Sequence, residues 1–128
     1  MAETVKLGEL ESATMQVLWH GEEPMTVRQV LAALEGERPL AYTTVLTVLD
    51  NLHTKQMVLR ERQGRAYLYR PAMSRSEFGA AMIRDVLQVT GDPESVLLHF
   101  ASSASAEESR FLRRAARRLT GRGERSVP

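Results

Sequence analysis

Residues 40–55 read Leu40-Ala-Tyr-Thr-Thr-Val-Leu-Thr-Val-Leu-Asp-Asn-Leu-His-Thr-Lys55. Val45, Val48, Leu49 and Leu52 recur at i, i+3, i+4 and i+7, which predicts an amphipathic helix from about Ala41 to Lys55. Its opposite face carries Thr43, Thr47, Asp50, Asn51 and Thr54. A solvated helix face ordinarily favours Glu and Lys, the better helix formers. Thr loses side-chain freedom in a helix, so this face was not chosen for helix stability.

Two further helices precede it. Leu10, Ala13, Thr14, Val17 and Leu18 form a first stripe, flanked by Met15 and Trp19 and closed by Gly21. The second opens on Thr26-Val-Arg-Gln29, a capping box, and continues through Val27, Val30, Leu31 and Leu34. Met57–Arg62 and Arg65–Arg70 are β-type runs around Gln63-Gly64, which predicts a hairpin that Pro71 ends.

Three helices followed by a basic hairpin is the order of a winged helix-turn-helix. In such a module the later helix enters the major groove and its first residues meet base edges. Thr hydroxyls bond either base, Thr methyls touch thymine, and Asn pairs with adenine. The competing reading is a small helical domain with a solvated Thr face.

After Pro71 three more helices are expected. Ser74-Arg-Ser-Glu77 and Ser105-Ala-Glu-Glu108 are capping boxes, and Asp92-Pro93 is an N-cap followed by Pro at the first helical position. Phe78, Met82, Ile83, Val86, Leu97, Leu98, Phe100 and Phe111 are too many apolar side chains for about 50 residues to hide, which points to a homodimer interface. The alternative is packing onto the N-terminal half. The fold class is therefore mainly α with a small β-hairpin. Residues 1–72 form a winged-helix DNA-binding domain, 73–121 a three-helix dimerisation domain, and 122–128 a disordered tail.

The chain has 128 residues, 43% of them hydrophobic and 26% charged, a globular composition. A half of about 60 residues gains from a partner subunit. No Cys is present, which excludes disulfides, thiolate metal sites and Cys nucleophiles. No apolar run approaches a membrane span, and charges at Glu3, Lys6, Glu9 and Glu11 interrupt any signal-peptide core. A cytoplasmic location is expected.

The net charge of +1 conceals segregation. Residues 1–52 hold three cations against eight anions, 53–70 five against one, and 110–125 seven Arg against one Glu. The last run reads either as a solvated cationic face that complements the helix dipole or as a DNA contact. His20, His53 and His99 lack metal-ligand spacing, and no nucleophile or phosphate-loop motif occurs. No cofactor, metal or catalytic residue is expected.

Leu7–Trp19, Leu40–Leu52 and the wing Gly64–Pro71 resemble the first helix, recognition helix and wing of the penicillinase repressor family, the BlaI/MecI type. The resemblance spans about residues 7–119. It implies a dimeric repressor on dyad operators of resistance or stress genes, with Thr43, Thr44 and Thr47 on DNA. Leu46 and Asn51 stand where some members carry Arg, and Gln56 where a Gly is frequent. Tyr42, Lys55, Arg62 and Arg65 complete the expected DNA-contacting set. Members are inactivated when a membrane sensor metalloprotease cuts an Asn-Phe bond; the matching bond here is His99-Phe100. A protein-interaction module and a directly ligand-sensing regulator remain alternatives.

Overall fold

A computed structural model describes residues 7–36 and 39–126, with side chains through residue 121. Helix α1 spans Glu9–His20 and α2 Val27–Leu34; α3 spans Tyr42–Thr54. Strands β1 (Val58–Gln63) and β2 (Ala66–Pro71) follow, then α4 (Arg75–Thr90), α5 (Pro93–Ser102) and α6 (Ala106–Ser126). The fold is mainly helical with one antiparallel hairpin.

The helix starts follow local chemistry. Thr26 Oγ1 accepts from the Gln29 amide while Gln29 Oε1 accepts from the Thr26 amide. The same reciprocal pair forms at Ser74 and Glu77 and at Ser105 and Glu108. At α5 the Asp92 carboxylate accepts from the Ser95 amide, with Pro93 at the first helical position. Each box satisfies two groups that a helix N-terminus leaves orphaned. Two hydrogen bonds to Ser74 hold the Glu77 carboxyl below its usual range, the backbone one contributing more.

The core collects Met15 and Leu18 of α1, Val27 and Val30 of α2, and Val45, Val48, Leu49 and Leu52 of α3. Met57, Val58 and Tyr69 seal it from the hairpin side. On α1 the buried face differs from the expected stripe. Met15 is buried and Ala13 exposed, so the face is rotated by part of a turn. Thr14 tolerates full burial because its hydroxyl donates to the Leu10 carbonyl at 2.8 Å.

The hairpin pairs Gln63 with Ala66 and Val58 with Pro71. Its two-residue loop is therefore Gly64-Arg65, one position later than the sequence suggested. Gly64 has φ +65° and Arg65 is not left-handed, the II′ pattern with Gly first. A short bridge was not foreseen: Met25 and Tyr69 exchange both backbone hydrogen bonds, at 2.9 and 2.8 Å. It ties the segment before α2 to the wing.

Helix α3 ends in a Schellman motif. The Met57 amide donates to the Leu52 carbonyl at 2.9 Å and the Gln56 amide to the His53 carbonyl at 3.0 Å. Gln56 takes the left-handed position at φ +63°, normally a glycine's place. A side chain there costs about 1–2 kcal/mol, partly offset by the greater entropy Gly loses on folding. Gln56→Gly is therefore expected to raise stability by about 0.5–1 kcal/mol, read by denaturant unfolding, without changing DNA affinity. A destabilised variant contradicts this.

By compactness the chain divides into Met1–Asp85 and Val86–Pro128. The boundary falls inside α4 rather than near residue 72. The cause is Trp19, whose indole N–H donates to the Met73 carbonyl at 3.0 Å and whose ring lies 5.6 Å from that of Phe78. The start of α4 thus belongs to the first unit. In the second unit, α6 continues through Gly121 to Ser126 instead of stopping there, because Gly121 takes no left-handed turn. Of the expected disordered tail, residues 122–126 are helical and residues 127–128 lie outside the described residues.

Candidate nucleic-acid interface

Burying Val45, Val48, Leu49 and Leu52 turns the other side of α3 outward. Tyr42, Thr43, Thr44, Thr47, Asp50, Asn51 and Thr54 are all exposed. Thr43, Thr47 and Asn51 lie at i, i+4 and i+8 and form one polar row. The N-cap Ala41 supplies no side-chain hydrogen bond. Among the described residues the first amides of the helix thus have no side-chain partner, at an end that favours anions.

Leu46 departs from the expected set. It is half-buried and packs against the core, so it stands beside the polar row and not in it. Lys55 is also engaged internally: its Nζ lies 2.7 Å from Glu11 Oε1. Burial raises the Glu11 pKa. The hydrogen bonds from Lys55 and the Gly8 amide, with the Lys55 charge, outweigh that and hold it below the ordinary value.

Arg60 on β1 reaches across to Asp50 on α3 at 3.0 Å and lies 4.5 Å from the Tyr67 ring centroid. Exposed ion pairs contribute little, about 0–1 kcal/mol, so the value of this contact is geometric: it registers the wing against the helix. The Tyr69 hydroxyl beneath is buried and makes no hydrogen bond among the described residues. Burial pushes its pKa up, while the neighbouring Arg60 pulls the other way.

Arg62 and Arg65 are exposed near the hairpin tip. Arg62 Nε donates weakly to the Gly64 carbonyl at 3.4 Å, and its guanidinium lies 5.8 Å from the Tyr67 ring. Arg65 occupies the loop itself. Sequence reading missed Arg28 on α2, which lies 5.5 Å over the Tyr42 ring beside the start of α3. Its only signal was to be one of three cations in an acidic N-terminal half. The structure thus gathers Thr43, Thr44, Thr47 and Asn51 on one helix face and Arg62 and Arg65 on the wing. It sets Leu46 and Lys55 into internal contacts.

The residues expected at a dimer interface separate likewise. Phe78 packs against Trp19 and the core of its own chain. Met82 is half-buried. Ile83, Val86, Leu97, Leu98, Phe100 and Phe111 are between 47% and 62% exposed. Val89, Leu112 and Leu119 are exposed too, although the sequence did not single them out as interface residues. Among the described residues, none beyond Tyr69 is buried. No described helix is long and apolar enough to cross a membrane, and no described cluster of His, Asp and Glu suits a metal.

The model for the family described as penicillinase repressor matches residues 7–118. Two curated relatives, each named transcriptional regulator BlaI, come from Mycobacterium tuberculosis strains CDC 1551 / Oshkosh and ATCC 25618 / H37Rv. Each is 44% identical over 98% of this chain and 94% of its own. A solution structure of the DNA-binding domain of the repressor BlaI superposes with a TM-score of 0.51 at 22% identity, covering 60% of this chain and 93% of that one. That likeness shows the winged-helix fold. The chain belongs to the penicillinase repressor family, whose curated relatives are transcriptional regulators and not enzymes.

Proposed function

We propose that the chain is a dimeric, sequence-specific transcriptional repressor of palindromic operators, acting in the cytoplasm. The observation that carries this reading is the Thr43–Thr47–Asn51 row, exposed on α3 directly opposite the buried stripe. Two such helices related by a dyad read half-sites about one helical turn, or a multiple, apart. Tyr42, Thr44 and the Arg62 and Arg65 side chains fix the register on phosphates, and the polar row reads bases. Lys55, exposed although paired with Glu11, joins them through its remaining ammonium protons.

The dimer is supported by the apolar α4–α6 surface and by the absence of any buried residue there among those described. The family match points to operators of β-lactam resistance or stress genes as targets. Release by a membrane sensor metalloprotease fits an exposed His99-Phe100 bond near the end of α5. The His99 carbonyl accepts from the Ser103 amide and hydroxyl at 3.0 and 2.9 Å, so cutting there requires the last turn of α5 to fray.

Two substitutions separate the two kinds of contact. Arg65→Ala weakens binding to every duplex and reduces the slope of log affinity against log salt by about 1; an unchanged slope removes Arg65 from the interface. Thr47→Ala leaves that slope in place and changes base preference in a randomised-site selection. An unchanged preference removes Thr47 from base reading.

A further inference from the structure

Helix α6 has two opposed faces. Arg110, Arg113, Arg114, Arg117 and Arg118 recur at i, i+3, i+4, i+7 and i+8 and are all exposed. Leu112 and Leu119 lie on the other side, and Phe111 sits at the edge of the stripe beside Arg114 and Arg118. Among the described residues none of the five arginines forms an ion pair. Helix polarity does not explain them. The helix runs Ala106–Ser126, so Arg110, Arg113 and Arg114 stand in its first half, whereas the dipole favours cations only in the last turn.

We propose that this arginine stripe is a second DNA surface, one that holds the sugar–phosphate backbone without reading sequence. The inference rests on the operator-binding reading for its partner but uses none of the α3 or wing residues. From 110 to 118 the stripe covers about 12 Å of helix, a length over which duplex DNA carries about seven phosphate charges. All five cations are Arg, whose planar fork pairs with phosphate in two hydrogen bonds. An anionic membrane is the poorer match. Insertion needs the apolar face of the helix, and here Leu112 and Leu119 belong to the apolar surface proposed above to close the dimer.

The test compares the full-length protein with Arg113→Gln/Arg114→Gln/Arg117→Gln, which keeps good helix formers. Affinity is measured from about 50 to 200 mM salt on the operator with flanking sequence, on the trimmed operator and on a scrambled long duplex. On both long duplexes the variant's log–log slope falls by about 2–3, while its preference for operator over scrambled sequence stays. The matching triple Lys variant keeps most of the slope, which separates charge from folding. An unchanged slope on the long duplexes, in a variant with wild-type circular dichroism, overturns the proposal. So does a variant that loses binding to anionic phosphatidylserine vesicles and keeps its DNA slope. If the wild type does not distinguish operator from scrambled DNA, the operator reading fails, yet the slope on the scrambled duplex still decides the stripe.

Discussion

Leu97→Glu is expected to convert the proposed dimer into a monomer and to weaken operator binding at least about a hundredfold. Leu97 is 50% exposed on α5, beside Leu98 at 62% and Phe100 at 47%. A single chain leaves such a surface in water. Covering one Leu is worth about 1.5–3 kcal/mol, and a two-fold dimer counts every substitution twice. A carboxylate there must be desolvated without a partner, which adds to the loss. Once the dimer dissociates, the second half-site no longer benefits from a local concentration in the millimolar range. Sedimentation gives the mass and a titration gives the affinity. Because no buried residue is touched, the winged-helix unit keeps its circular dichroism. A Leu97→Glu protein that stays dimeric with full affinity places the dimer contact elsewhere.

Leu49→Ala is expected to be among the most damaging changes within α3, costing about 2–5 kcal/mol. Leu49 is fully buried among Met15, Val30, Val45 and Tyr69 in the same core. Truncation removes its transfer free energy and leaves a cavity that close-packed neighbours fill only in part. In a unit of this size each kcal/mol lowers the melting temperature by about 4–8 °C, so a fall of at least about 8 °C is expected. Thr47→Ala, two residues away on the exposed face, shifts stability by no more than about 0.5 kcal/mol. Equal stability losses at the two positions contradict the assignment of faces.

What could be read from sequence was what neighbours in sequence decide. The three capping boxes and the Asp92-Pro93 start depend on residues three apart, and each forms its hydrogen bonds. The α3 stripe was legible because four apolar residues at strict helical spacing leave one way to bury them. On α1, Ala13, Met15 and Val17 offer rival faces, and only packing against α2, α3 and β2 selects Met15. Leu46 was placed in the DNA-contacting set by resemblance, but its place at the edge of the stripe lets it close over the core.

Contacts between distant residues were not legible. Glu11 and Lys55 are 44 positions apart, and Asp50 and Arg60 ten. No spacing rule joins them, yet they give two cations of the basic segment carboxylate partners within the chain. The Met25–Tyr69 bridge escaped notice for the same reason: one residue carries no alternating pattern. The α4 boundary was displaced because Trp19 reaches a backbone carbonyl 54 residues away.

The most direct test of a dimeric, sequence-reading repressor is a salt titration of binding to the DNA upstream of its own gene against a scrambled duplex, with stoichiometry determined alongside. Two chains per duplex and an affinity at least about a thousandfold above the scrambled control are expected. Equal, weak binding to both duplexes at one chain per site contradicts it.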